Sequence, residues 1–155
     1  MPKPLIPSII FVIYTALLIK FMVFKDGLLR LGHLRLRLTP DSGKANFIPF
    51  KSIGPYLVGY PSWPIAILNL AGNIIPLMPI GFLVPFIYRK MTWRKSLVLA
   101  VMFGLVFETT EKVFSVGIFD VDDIILNALG VMIGYFIFAF FEKRSKRTQV
   151  GPKSF

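Results

Sequence analysis

The chain contains no cysteine, only one histidine and only eight acidic residues among its 155 residues. The missing cysteines exclude disulfides, thiol catalysis and thiolate metal sites. The single histidine, His33, excludes every mechanism that needs two imidazoles. The net charge is +10, but the basic residues flank apolar runs and no separate basic domain is present. Contact with anionic lipid headgroups therefore explains the charge better than nucleic-acid binding, which we do not expect.

Apolar residues dominate the rest of the composition. Hydrophobic residues make up 55% and aromatic residues 15% of the chain, and the mean hydropathy is +0.69. This content is too high for a water-facing surface and is typical of an integral membrane protein. The length suits one domain, so we expect a single membrane domain over residues 1–155.

The apolar runs predict an all-α membrane protein with four transmembrane helices and a long loop between the first two. The first run has 20 residues, which at 1.5 Å per residue cover roughly 30 Å, the hydrocarbon thickness of a bilayer. It is too long for a signal peptide and lacks a small-residue cleavage site, so we expect it to remain. The predicted spans are Leu5–Phe24, Ile65–Tyr88, a third from near Ser96 to Glu108, and Asp123–Phe141.

The segments outside these spans are basic. Residues 25–64 form a loop whose prolines prevent a long helix and whose aromatic residues suit the headgroup level. Within it, the alternating residues of GHLRLRLTP predict a short strand or an interfacial segment. Residues 142–155 form a basic tail that we expect to be disordered beyond its first turn. The positive-inside rule favours cytoplasmic termini, because the side that would hold both carries more Lys and Arg.

Most of the acids are gathered in one segment, FETTEKVFSVGIFDVDDIILNALG, at residues 107–130. In the fourth span, Asp123, Asn127, Gly130 and Gly134 recur at i, i+4, i+7 and i+11 and therefore share one helix face. The two glycines form a G-x-x-x-G motif, which allows another helix to pack closely.

Polar residues of the other spans are predicted to reach the same region. Asn69 and Asn73 share a face of the second span. The rise per residue places Asn73, Glu108 and Asn127 in one half of the bilayer, on the side of the long loop. A carboxylate in hydrocarbon costs about 2.5–3.5 kcal/mol on insertion scales. Glu108 should therefore be protonated, paired or facing a water-filled cavity, and we expect it to be functional or essential to assembly.

Structural alternatives stand beside these functional readings. The three asparagines of the spans can serve as interhelical hydrogen-bond partners. Asp120 or Asp122 can cap the fourth span, where a carboxylate suits the helix N-terminus. A Mg²⁺ or Ca²⁺ site at DVDD, formed by Asp120, Asp122 and Asp123, would lack a full ligand set.

Four motifs follow one another along the chain: NFIPF (46–50), NLAGNIIPLMPIGFLVP (69–85), FE (107–108) and DVDDIILNALGVMIGY (120–135). Their order and spacing resemble the VanZ-like family over about residues 46–140. Carried over by this resemblance, the polar positions of the family fall on Asn46, Asn73, Glu108, Asp120, Asp123 and Asn127. Its structural positions fall on Pro49, Phe50, Pro79, Gly81, Gly130 and Gly134. The chain differs from many relatives at Glu111 and Gly117, where Gln and Arg are common.

The resemblance implies a plasma-membrane protein of Gram-positive bacteria, from a family named for low-level resistance to teicoplanin with little protection against vancomycin. It implies no reaction, and the sequence identifies no cofactor and no complete catalytic motif. Three functions stay open. The first is binding of membrane lipids, a lipid-linked cell-wall precursor or the lipoglycopeptide antibiotic at the outer leaflet. The second is an enzyme that acts on lipid phosphates through paired, metal-binding acids. The third is a small proton-coupled exporter that uses Glu108. The candidate binding residues are Asn46, Asn69, Asn73, Glu108, Asp120, Asp122, Asp123 and Asn127.

Overall fold

The computed structural model describes residues 5–29, 45–113 and 118–149, and all regular secondary structure in these ranges is helical. The helices are α1 (Leu5–Leu29), α2 (Gly54–Leu57), α3 (Trp63–Ile74), α4 (Met78–Ile87), α5 (Trp93–Val113) and α6 (Val121–Gln149). The all-α prediction is confirmed for this part of the chain. The strand or interfacial segment predicted at GHLRLRLTP lies outside the described residues.

Two helical stretches are long and apolar enough to cross a membrane, Trp63–Ile87 and Val121–Lys146. In α1, the apolar stretch whose side chains the structure describes, Leu5–Lys20, is shorter. Helix α5 has 21 residues, but every 18-residue stretch of it contains at least three charged residues. Two of the four predicted spans are therefore clearly of membrane length, and the four-span topology stays a prediction.

Several helix boundaries differ from the predicted ones. The second span is divided into α3 and α4 by a 3₁₀ turn, Ile75–Leu77, because Pro76 and Pro79 lack the N–H groups that would continue the α-helical hydrogen bonds. The prediction of a disordered tail is wrong as far as Gln149, where α6 ends. No Gly or Pro interrupts residues 135–149, and a Glu142–Lys146 ion pair at 2.8 Å supports this part of the helix.

Helix α6 packs against α3, α4 and α5, and glycines bring its backbone close to α3 and α4. A methyl group on Gly130 would overlap the carbonyl oxygen of Ile74, and one on Gly134 would overlap that of Met78. In the reverse direction, a methyl group on Gly81 would overlap the carbonyl oxygen of Val131. The two glycines of the G-x-x-x-G motif thus lie where α6 approaches α3 and α4 most closely, and Gly81 of α4 lies at the same kind of contact.

Helix α1 is joined to this bundle by a hydrogen bond that Tyr14 donates to the carbonyl oxygen of Pro76 at 2.7 Å. We expect Tyr14→Phe to lower the free energy of unfolding by about 0.6 kcal/mol, the average for interhelical hydrogen bonds in a membrane protein. The ring packing is retained, so the fold should not change. Unfolding in mixed micelles measures the difference. Tyr60→Phe, at a tyrosine that is 65% exposed, should have no effect, and an equal loss in both variants would contradict the assignment.

Candidate functional site

Residues 45–62, which we call the docked loop, lie against the N-terminus of α6. The contact begins with a parallel bridge between Asn46 and Asp120. The N–H of Asn46 donates to the carbonyl of Phe119 at 2.8 Å, and the N–H of Val121 donates to the carbonyl of Asn46 at 3.0 Å. The side-chain amide of Asn46 also donates to Oδ1 of Asp120 at 2.9 Å. Asn46 therefore fixes a loop to a helix start that is 74 residues away along the chain.

A tight turn at Ile48–Lys51 shapes the docked loop. The N–H of Lys51 donates to the carbonyl of Ile48 at 3.3 Å. Pro49 fixes its own φ near the value that the first central position of a type II turn requires. Phe50, at the second central position, has a φ of 64°, in the left-handed region that side chains other than glycine rarely adopt. This turn directs the N–H groups of Phe50, Ser52 and Ile53 toward one point.

That point is the carboxylate of Asp122, which is fully buried. It accepts hydrogen bonds from the backbone N–H groups of Phe50 at 2.5 Å, Ser52 at 2.8 Å and Ile53 at 3.3 Å. The hydroxyl of Ser52 donates a fourth, at 2.8 Å. The arrangement resembles a backbone anion-binding nest with a side chain of the same protein as the anion. Four donors are about the capacity of a carboxylate, so Asp122 holds the loop and the prediction that it binds a ligand is not supported.

Asp120 caps α6. Its Oδ1 accepts a hydrogen bond at 2.9 Å from the N–H of Asp122, which is the second residue of the helix. This is the geometry of an N-cap aspartate, and it confirms the capping alternative for Asp120. Asp122 and Asp123 lie in the first turn of α6, where negative charge is stabilised by the helix dipole.

Glu108 and Asn73 bring α5 and α3 to the same helix start. Glu108 is 1% exposed, and its Oε2 accepts a hydrogen bond from the N–H of Asp120 at 2.8 Å. The side-chain amide of Asn73 donates to Oδ1 of Asp123 at 2.6 Å. Polar residues of α3, α5 and α6 therefore meet at this helix start, together with Asn46 of the docked loop. We call Asn46, Asn73, Glu108, Asp120, Asp123 and Asn127 the polar cluster.

Tyr56, in the short helix α2, extends the polar cluster. Burial raises the pKa of its phenol above the usual value near 10, and the nearby Asp123 carboxylate raises it further. Tyr56 therefore stays protonated at neutral pH and is able to donate a hydrogen bond. From the sequence, Tyr56 was expected only among the aromatic residues at the headgroup level, and Ser52 was not expected at the site. A single sequence carries no signal that would have found either residue.

Two of the asparagines predicted to bind a ligand, Asn69 and Asn127, make no hydrogen bond to the other predicted site residues among the described contacts. The amide of Asn69 donates to the carbonyl of Ile65 at 2.8 Å, one turn earlier in its own helix, so its predicted binding role is not supported. Asn127 is fully buried, and neither its Nδ2 nor its Oδ1 has a hydrogen-bond partner among the described residues. It lies one turn further into the bundle than Asp123, on the same face of α6.

The three aspartates of DVDD, the metal-site candidate without a full ligand set, do not converge on one point. Successive residues at a helix start point in directions about 100° apart, so the three carboxylates diverge. Asp120 contacts Asn46, Asp122 contacts the docked loop, and Asp123 contacts Asn73. Among the side chains that the structure describes, no group of three or more His, Cys, Asp or Glu is placed to hold a metal ion.

Comparison with known proteins identifies the family. The VanZ/LLP1 family model matches residues 11–142, a range that includes the docked loop and every residue of the polar cluster. Neither the comparison with curated proteins nor the one with solved structures gives a significant match. The family match covers most of the chain and agrees with its two apolar helices of membrane length. This chain is a membrane protein that belongs to the VanZ/LLP1 family.

Proposed function

We propose that this protein binds a lipid-linked headgroup or a teicoplanin-type lipoglycopeptide at the outer leaflet of a bacterial plasma membrane, and thereby lowers antibiotic susceptibility. The proposal places four spans in the bilayer: α1, α3 with α4, α5, and α6. The 21 residues of α5 cover roughly 31 Å, enough to cross. Basic residues at 89–95 and 143–146 then lie with both termini on the cytoplasmic side, as the positive-inside rule favours.

The buried carboxylate of Glu108 is the observation on which this proposal rests. A carboxylate at membrane depth is costly, and such residues mark ligand or ion sites in most membrane proteins that retain them. Near Glu108, the polar cluster offers the amide of Asn73 and the carboxylate of Asp123, and Tyr56 adds a hydroxyl. Carboxylates, amides and hydroxyls recognise amines, hydroxyls and amides. Binding through these groups requires no catalytic step.

Exposed aromatic side chains of the docked loop support a position of the site near the lipid headgroups. Its exposed aromatic side chains include Phe47, Phe50 and Tyr60, and Trp63 follows directly after it. Aromatic residues of this kind favour the headgroup region. A ligand with a lipid anchor would be concentrated at this depth, whereas a ligand without one would not. The site should therefore distinguish teicoplanin, which is lipidated, from vancomycin.

Paired susceptibility assays test the proposal. Cells that express the intact protein should tolerate more teicoplanin, but no more vancomycin, than cells that lack it. Glu108→Gln, expressed at a matched membrane level, should return the teicoplanin tolerance to that of cells without the protein. The substitution keeps the size of the side chain and removes its acidity.

Glu142→Gln is the matched control, because it makes the same chemical change at an exposed position that pairs with Lys146. It should retain full teicoplanin protection. Equal losses in the two variants would mean that overall charge matters and that the buried site does not. If the intact protein protected against neither antibiotic, the proposed function would be wrong.

A further inference from the structure

Asn127 is the one residue of the polar cluster whose side chain has no protein partner among the residues that the structure describes. It is fully buried, and both Nδ2 and Oδ1 are unpaired. The other buried unpaired side-chain atom in this part of the chain is the hydroxyl oxygen of Thr15, which can rotate toward a carbonyl of its own helix. The carboxamide of Asn127 has an acceptor as well, Oδ1, which a carbonyl of its own helix cannot satisfy. A buried polar group without a partner costs roughly 1–3 kcal/mol.

The position of Asn127 directs its amide toward the polar cluster. Side chains on a helix lean toward its N-terminus, so Asn127 leans toward the turn of α6 that carries Asp123. That turn is held to α3 by the Asn73–Asp123 hydrogen bond. Gly130, one turn further along, packs against the backbone of α3 at Ile74. The amide of Asn127 therefore lies at the inner end of the polar cluster, between it and the close-packed helices.

We infer that Asn127 forms the inner end of the binding site and pairs with a ligand group that both donates and accepts hydrogen bonds, namely a hydroxyl or an amide. The inference rests on the proposed function and adds the chemistry of the bound group. A carboxamide has donors on Nδ2 and an acceptor on Oδ1, and a hydroxyl or an amide satisfies both. A phosphate diester offers only acceptors, and a quaternary ammonium offers neither. The two sources of such a group are a lipid headgroup and the glycopeptide.

Thermal unfolding of the full chain in nanodiscs tests this inference first without a ligand. The reference nanodiscs contain phosphatidylcholine with phosphatidylmethanol, an anionic lipid whose headgroup has no hydrogen-bond donor. Asn127→Leu should unfold at a higher temperature than the unsubstituted protein, because it removes an unpaired buried amide at similar volume. If the amide held the fold together, the same variant would unfold at a lower temperature or fail to fold.

Two probes then test the ligand. One is phosphatidylglycerol in place of phosphatidylmethanol, which adds hydroxyls at constant charge, and the other is teicoplanin added to the reference nanodiscs. At least one should raise the unfolding temperature of the unsubstituted protein, by about 3–6 °C at ten times its Kd. Asn127→Leu should show no shift. Asn69→Leu makes the same change at an amide that pairs within its own helix, and it should keep the shift.

Four results would overturn the inference. They are a less stable Asn127→Leu protein, equal probe shifts with and without the substitution, loss of the shift in Asn69→Leu as well, and no shift of the unsubstituted protein with either probe. The susceptibility assay separates this inference from the proposed function. Protection that is lost in Glu108→Gln but intact in Asn127→Leu would keep the proposed function and remove Asn127 from the site.

Discussion

Asp122→Ala is expected to release the docked loop from α6. The substitution removes the acceptor of three backbone N–H groups and one hydroxyl. Hydrogen bonds to a charged group contribute about 1.5–3 kcal/mol each, but the released groups regain contact with water, so the contributions do not add. We expect a net loss of about 3 kcal/mol in the free energy of unfolding. Hydrogen exchange at the amides of Phe50, Ser52 and Ile53 should accelerate strongly and report the release directly.

A graded series makes this prediction specific. Ser52→Ala removes one of the four donors and should cost about 1 kcal/mol. Asp122→Asn retains one acceptor oxygen and should fall between Ser52→Ala and Asp122→Ala. Asp123→Ala is the matched control, because its carboxylate accepts from Asn73, whereas the amides of Phe50, Ser52 and Ile53 donate to Asp122. It should leave the three loop amides protected. Unchanged exchange in Asp122→Ala would show that this carboxylate does not hold the loop.

The part of the site that the sequence predicted depends on helix periodicity. Spacings of three, four and seven residues place Asp123, Asn127, Gly130 and Gly134 on one face, whatever the helix packs against. The apolar runs then fix which ends of the helices meet. The convergence of Asn73, Glu108 and Asp123 follows from these two local rules, and the structure contains the Asn73–Asp123 hydrogen bond.

The parts that the sequence did not predict depend on distant backbone groups. The partners of Asp122 are N–H groups 69 to 72 residues away, and a backbone N–H has no signature in the sequence. Asn69 is also an asparagine and lies one turn before Asn73 on the same helix face, yet its amide pairs with a carbonyl of its own helix. Only the neighbouring helix decides between these outcomes. The sequence did not predict that α6 continues to Gln149. The basic, polar composition of the tail indicated disorder, although the tail also contains good helix formers.

These contacts divide the acids of the segment at residues 107–130 into two groups. Asp120 and Asp122 are occupied by the helix start and the docked loop. Glu108 is buried and accepts from the N–H of Asp120, and Asp123 accepts from the amide of Asn73. Substitutions in the first group should act through loop docking and those in the second through ligand recognition. A shared loss of protection in Asp122→Ala and Glu108→Gln would therefore have two different physical causes, which hydrogen exchange at the loop separates.

Gly134→Ala is expected to separate α6 from α4. The added methyl group would overlap the carbonyl oxygen of Met78, which belongs to the backbone and has no alternative rotamer to adopt. Overpacking of a close contact typically costs about 1–3 kcal/mol, and a contact with backbone belongs at the upper end of that range. We expect a loss of about 3 kcal/mol in the free energy of unfolding and a lower yield of monodisperse protein. Unfolding in mixed micelles and size-exclusion chromatography measure the two effects.

Gly72→Ala provides the comparison that isolates packing from helix propensity. Gly72 lies in α3, and a methyl group there would meet no atom within 4 Å. Alanine is a better helix former than glycine by about 1 kcal/mol, so Gly72→Ala should be neutral or slightly stabilising. Gly81→Ala, whose methyl group would overlap the carbonyl oxygen of Val131, should resemble Gly134→Ala. Near-zero changes in the free energy of unfolding for Gly81→Ala and Gly134→Ala would mean that α4 and α6 approach less closely than their glycines allow. The site between α3 and α6 would then not be fixed by this contact.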